Sequence, residues 1–237
     1  MRILITNDDG ISSPVLPRLA AWASKLGEVT VIAPKVEQSG MSHAIDFTRP
    51  IEIKRVDIGE GIEAYSMDST PADCVRYAVM GQKKQYDLVI SGINRGFNLG
   101  ADIVYSGTVG AIFEAARLKI AGVAISTDPK TFDAAVDCLD DVWSYFEANK
   151  LLCRASLYNV NIPLDDKGIL ITRQGGIYFT DDFVYLGDDM YEQVGAMADP
   201  HSDDLGYDNV AVINGYISIT PLTSEKTNYA AFPELRK

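Results

Sequence analysis

The stretch MRILITNDDGISSPVLPRLAAWASKLGEVTVIAP, residues 1–34, holds one strand–helix–strand unit whose reading decides the fold of the whole chain. Residues 3–6 form a short apolar run that stops at Asn7-Asp8-Asp9-Gly10, the pattern of a buried strand meeting a turn. Ser13-Pro14 has the form of an N-cap followed by a first helical position, and Pro17 is tolerated in the same turn because those N–H groups lack helical partners anyway. Leu16, Leu19, Ala20, Ala23 and Leu26 then recur at helical spacing until Gly27. The next strand follows at 29–34.

Outward from this unit the same grammar repeats. The pattern predicts a strand at 51–56, a helix at 71–80 and an apolar strand at 88–90. A Gly/Asn-rich loop at 91–107 leads to a helix at about 108–119 and a strand at 123–125. Phe132, Val136, Leu139, Trp143 and Phe146 mark one face of a further helix. Strands alternating with helices of this length imply right-handed crossovers and a mostly parallel, doubly wound α/β sheet. From about residue 155 the grammar changes. Strands are predicted at 157–160 and 169–172, and 210–213 and 216–220 flank Asn214-Gly215, a two-residue hairpin signal. The expected organisation is a single domain over 1–237, with a core at about 1–155 and a C-terminal β-hairpin or extended arm at about 156–237.

Composition narrows the function. Lys and Arg number 21 against 33 Asp and Glu, a net charge of −12. Such a surface repels a phosphate backbone and anionic membranes, which argues against a nucleic-acid polymer or a membrane as partner. A small phosphorylated ligand is still compatible, because a local cation or helix N-terminus outweighs the global field. Residues 174–225 contain eight Asp and no Lys or Arg, so this stretch is the main source of acidity, read as a solvated face, a β arm or a subunit contact. Cys74, Cys138 and Cys153 form no C-x-x-C pair, which suits a reducing compartment. With no apolar leader in MRILITND, a cytoplasmic protein is expected.

Three loops fall on the carboxyl rim of the sheet, where open α/β sheets bind ligands. Asp8 and Asp9 converge only if the chain turns there, and Gly10 allows it. Converging carboxylates repel unless a proton or cation lies between them, and oxygen donors of this kind suit Mg²⁺, Mn²⁺ or Ca²⁺. The same residues also suit an ordinary helix cap and Asx-turn. The second loop, Ser91 to Gly100, continues to Tyr105-Ser106-Gly107-Thr108 at the start of a helix. Free N–H groups and the helix dipole there favour a dianion, though a plain Ser/Thr cap reads the same way. The third is Gln38-Ser39-Gly40, whose hydroxyl suits a metal or a phosphate. No P-loop, H-E-x-x-H or G-x-S-x-G is present, and only His43 and His201 are available as histidines. His43 reads either as a general acid or as a loop hydrogen-bonding group. Cys74, Trp143 and Phe146 read as core.

In order along the chain, Asn7-Asp8-Asp9-Gly10-Ile11, Gln38-Ser39-Gly40, Thr70-Pro71-Ala72-Asp73-Cys74-Val75, Ser91-Gly92-Ile93-Asn94, Tyr105-Ser106-Gly107-Thr108-Val109, Asn159-Val160-Asn161-Ile162-Pro163 and Ser218-Ile219-Thr220-Pro221-Leu222 resemble the SurE family of stationary-phase survival proteins, metal-dependent 5′/3′-nucleotidases. The resemblance implies a Rossmann-like core and a C-terminal arm exchanged in homodimers or homotetramers. It implies one divalent cation per subunit, Mg²⁺ or Mn²⁺ with Ca²⁺ also able to occupy the site, held by Asp8, Asp9, Ser39 and Asn94. Asp8 and Asp9 would be the catalytic pair, and substrate phosphate would lie around Asn7, Gly40, Asn98, Ser106, Gly107 and Thr108. The implied substrate is a nucleoside monophosphate. Two other readings of the rim are weighed beside it. A phosphatase of the haloacid-dehalogenase type would need a D-x-D spacing that is absent, and a nucleotide- or metal-sensing protein would bind without turnover.

Overall fold

A computed structural model of the chain describes residues 1–59, 61–200, 202–229 and 231–232. Six strands form the parallel body of one sheet: β1 (Arg2–Thr6), β2 (Glu28–Pro34), β4 (Glu63–Met67), β5 (Leu88–Arg95), β6 (Ala121–Thr127) and β7 (Leu157–Ile162). β3 (Ile53–Val56) closes one edge antiparallel to β4. At the other edge β11 (Ile217–Leu222) runs antiparallel to β7 and parallel to β8 (Ile169–Ile171). The order is β3-β4-β2-β1-β5-β6-β7-β11-β8. The central strands are apolar on both faces, as buried parallel strands must be. Ile3, Ile5, Val31 and Ile90 pack with α1 (Leu16–Ala23) and α4 (Asp133–Ala148), while Leu4, Ile32 and Val89 pack with α2 (Pro71–Arg76) and α3 (Gly107–Arg117). The doubly wound α/β class expected from the sequence is the one observed. Among the described residues, no helix is long and apolar enough to cross a membrane.

Several boundaries differ for physical reasons. Ser13-Pro14 does not open α1. Successive turns, with Ser13 N–H donating to Gly10 O (3.1 Å) and Leu16 N–H to Ser13 O (3.2 Å), delay the helix until Val15 caps it. Gly27 does not end the helix but lies past α1 and its cap at Ser24, where Met1 O comes so close that a Cβ would sit 1.9 Å from it. β4, between β3 and β2, carries Glu63 and Tyr65 and lacks the apolar run that marks β2. The hairpin expected at Asn214-Gly215 is instead the end of a helix, α5 (Asp208–Ile213). Gly215 N–H bonds Val212 O and Tyr216 N–H bonds Ala211 O, both at 3.0 Å, with Gly215 at φ +84°. That double bond around a left-handed glycine is a Schellman cap, which accepts Asn-Gly as readily as a hairpin does.

The strands after residue 155 complete the main sheet. A separate antiparallel ribbon, β9 (Phe179–Gly187) with β10 (Met190–Met197), stands off it with both faces exposed. Asp102 Oδ2 anchors its root by accepting the Tyr178 and Phe179 N–H groups, each at 2.8 Å. Asp208 is not solvated like most of its acidic neighbours. It is 1% exposed, and its carboxylate accepts N–H bonds from Gly100 (2.9 Å), Gly175 (2.8 Å) and Asn209 (2.8 Å).

Candidate active site

The chain leaves β1 for β2 on one side and returns beside it as β5 on the other, so the carboxyl rim splits at β1. A cleft of about 1000 Å³ opens there, large enough for a phosphate and a good deal more. Asn7 lies beneath it. Its amide donates to Gly10 O (3.0 Å) and accepts from Gly10 N–H (3.1 Å), closing the turn that swings Asp8 and Asp9 to the same side. Asn7 is buried and does not line the cleft. Gly10 needs its freedom, at φ +94° with the β2–loop backbone 3.2 Å from where a Cβ would stand.

Asp8 and Asp9 both line the cleft. Asp8 Oδ1 accepts the Thr108 hydroxyl at 2.6 Å. Burial raises the Asp8 carboxyl above the usual range against the pull of that bond. Burial, then the charge on Asp8, push Asp9 up to about 6, and Asp9 Oδ2 is buried with no hydrogen-bond partner. Glu37, which sequence reasoning passed over beside Gln38-Ser39-Gly40, lines the same cleft and presses further negative charge on both. Gln38 N–H donates to Asp8 O (2.7 Å), which ties the Gln38-Ser39-Gly40 loop to the first turn. Ser39 donates its hydroxyl proton to Glu37, leaving its lone pairs outward.

Asn94 lies within a strand and not in the loop expected from 91 onward. β5 slips register against β6 between Ser91 and Asn94, where Gly92 (φ +139°) packs so close to Ile125 O that a Cβ would sit 2.3 Å away. This irregularity aims Asn94 at the cleft. Its amide nitrogen is held by Gly96 O (2.7 Å), and Oδ1 is its unengaged oxygen. Asn98 is held from β7, where Asn159 and Asn161 donate to its carbonyl at 2.8 and 2.9 Å and Asn161 Oδ1 accepts its N–H at 2.9 Å. Ser126 Oγ, a donor as well as an acceptor, holds the Asn98 amide at 2.8 Å.

Ser106 caps α3, accepting the Val109 N–H at 3.1 Å, and lines the cleft with Gly40 and Asn98. Gly107 and Thr108 lie behind it. Gly107 is where a Cβ would come 3.1 Å from Asp8 Cβ, so the helix start presses against that carboxylate. Among the described residues no three His, Cys, Asp or Glu side chains gather as a metal cluster. The oxygen donors here are two carboxylates, a hydroxyl and an amide. A buried acid beside a half-buried one, with an orphaned Asp9 oxygen, is the environment that a hard cation relieves. His201 lies outside the described residues.

His43 turns away from the cleft. Its Nε2 lies 2.8 Å from Glu114 Oε2 on α3. Glu114 is 2% exposed and also accepts Arg117 Nε (2.9 Å) and Arg76 Nη1 (3.2 Å). Burial alone would raise its pKa, but hydrogen bonds and charge from His43 and Arg117 outweigh burial and hold it at about 2. A depressed carboxyl contributes stability above its unfolded pKa and loses it as the pH falls through the folded value, here between about 4.5 and about 2. We therefore expect Glu114→Gln to lower stability at pH 7 by about 2–3 kcal/mol and by much less at pH 3. Urea unfolding at both pH values checks this, and equal losses at the two would contradict it.

The chain is similar to known proteins over its whole length. The family model of the survival protein SurE matches residues 3–181. The 5′-nucleotidase SurE of Clostridium botulinum (strain Alaska E43) is 37% identical over 251 residues, covering 100% of this chain and 99% of its own. The 5′-nucleotidase SurE of Legionella pneumophila is 36% identical over 245 residues, covering 99% and 96%. The crystal structure of the SurE protein from Aquifex aeolicus superposes with a TM-score of 0.83 at 34% identity, over 100% of this chain and 98% of that one.

Proposed function

Because the chain belongs to the SurE family, we propose that it is a divalent-metal-dependent phosphomonoesterase that hydrolyses nucleoside 5′-monophosphates, and 3′-monophosphates as a second class, to nucleoside and phosphate. The observation that carries the reading is the convergence of Asp8, Asp9, Ser39 and Asn94 on one rim cleft beside the start of α3. These four residues would hold Mg²⁺ or Mn²⁺, with Ca²⁺ as an alternative occupant. When bound, such an ion lowers the pKa of water and neutralises charge on a transferring phosphoryl group.

The chain's own residues do the rest. Ser106 and Gly107 stand at the positive end of α3, where the Ser106 N–H is taken by Ile103 O and Thr108 is turned to Asp8. The Ser106 side chain, Gly40 and the Asn98 amide line the same space, so phosphate oxygens would lie among Ser106, Gly107, Thr108, Gly40 and Asn98. Asn7 acts on this space through the turn it closes. Thr108 holds one oxygen of Asp8, so the other is oriented toward the cleft. Water attacks phosphorus, the P–O ester bond breaks, and the proton taken by Asp8 passes to the departing nucleoside oxygen. The C-terminal region from about residue 156 onward would pair subunits into a homodimer or homotetramer, and the enzyme would act in the cytoplasm.

Phosphate release from a panel of 5′- and 3′-nucleoside monophosphates, after EDTA treatment and with Mg²⁺ or Mn²⁺ restored, tests the reading. Turnover that returns with metal is the expected result. Tight nucleotide binding with no release under any condition would replace the enzyme by a sensing protein.

A further inference from the structure

The cleft is larger than the phosphate site, and part of its lining is of a different kind. Tyr105, 61% exposed, and Phe179, 43% exposed, present aromatic faces there. Both stand on one frame, because Asp102 in the turn that ends at Tyr105 binds the main chain of Tyr178 and Phe179. Between the strands of the ribbon, Asp181 pairs with Gly195 and Phe183 with Gln193. With a period of two, Phe179, Asp181 and Gln193 therefore share the ribbon face that lines the cleft, Asp181 and Gln193 as diagonal neighbours. Gly195 leaves room for the Asp181 carboxylate, whose Oδ1 would lie 3.4 Å from a Cβ at that position. Neither Asp181 nor Gln193 makes a side-chain hydrogen bond to another described residue.

We infer that this part of the cleft is a base subsite selective for guanine, with Asp181 and Gln193 as its specificity-determining residues. The inference rests on the nucleotidase reading and names the substrate within it. A carboxylate offers two parallel acceptors and no donor. Guanine answers with N1–H and N2–H₂ side by side, as arginine does in a bidentate pair. Adenine and cytosine place an acceptor beside their amino group, and uracil flanks its single N–H with two carbonyls, so each would turn a lone pair toward Asp181. The Gln193 amide donates to guanine O6. Tyr105 and Phe179 supply stacking, which every base accepts and which therefore sets affinity without selecting.

The test compares kcat/KM for GMP, IMP, AMP and UMP with that for ribose 5-phosphate, in the wild type and in Asp181→Asn and Gln193→Ala. IMP differs from GMP only by the N2 amino group. We expect GMP to exceed IMP at least ~10-fold, because a site built for a donor rejects the analogue lacking it. Asp181→Asn should lose that preference and gain on AMP, whose donor–acceptor edge matches an amide, with ribose 5-phosphate hydrolysis within about twofold of wild type. Similar values for all nucleotides, or an Asp181→Asn enzyme that still prefers GMP, would overturn the base subsite while leaving the phosphatase intact. Failure to hydrolyse any of the panel would instead remove the phosphatase reading. The base site would then stand or fall on saturation-transfer NMR with guanosine and inosine, and guanosine binding no better than inosine would reject it.

Discussion

Asp9→Asn should lower phosphate release at least ~100-fold, and Asp8→Asn should do the same, since a cation site of this kind supplies several kcal/mol of charge stabilisation. The substitution keeps shape and removes one negative charge. Asp9 is the more informative position, because its Oδ2 is buried without a partner beside a second carboxylate. In metal-free protein Asp9→Asn should therefore leave the melting temperature unchanged or raise it by a few degrees, because a repelled buried charge has gone. Loss of activity with retained or higher stability separates a chemical role from misfolding. If both variants kept more than about a tenth of the wild-type rate after EDTA treatment, the metal-site reading of the rim would be wrong.

The largest effect on stability is expected at Asp208. Its carboxylate closes three backbone N–H groups, those of Gly100, Gly175 and Asn209, inside the protein. Asp208→Ala strands all three, at about 1 kcal/mol or more each, for a loss of about 3 kcal/mol. In a chain of this size that lowers the melting temperature by about 6–12 °C. Scanning calorimetry measures it, and a shift below about 2 °C would show that water replaces the carboxylate. Because Gly100 begins the turn that leads to Tyr105 and the Ser106 cap, kcat for phosphate release should fall as well.

How much of this was legible depends on whether local chemistry or distant packing decides. The first unit was readable because residues 3–6 are apolar on both faces and end at a turn that only a Gly-containing sequence makes easily. The rim loops were readable for the same reason. Asp8, Asp9, Ser39, Asn94 and Asn98 lie near the carboxyl ends of strands and Ser106 at the start of the helix that follows, and alternating strands and helices place such positions together. Asn214-Gly215 misled because Val210-Ala211-Val212-Ile213 suits a strand or a helix equally. Asp208 buried at the helix start settles the choice, and nothing in the four residues themselves does. β5 runs past Ile90 because Gly92 fits against Ile125, a contact with a strand not yet formed in the reading order. Asp181 and Gln193 had no local signal at all. Their side chains face the cleft only because Asp102, far away in sequence, fixes the root of their ribbon. Glu37 could have been found, being an acid one position before a rim motif.

The hydrogen bond from Thr108 to Asp8 joins residues 100 apart in sequence. A ribosome adding roughly 5–20 residues per second places Asp8 outside several seconds before its partner exists. Through that interval the acidic turn has no α3 to press against, and β1 has only β2 to pair with until β5 is made. A nascent chain stopped before about residue 117 thus carries Asn7-Asp8-Asp9-Gly10 without the complete α3 that closes the rim cleft beside it. The contact between the first turn and α3 is therefore made late in synthesis, once residue 108 has followed residue 8.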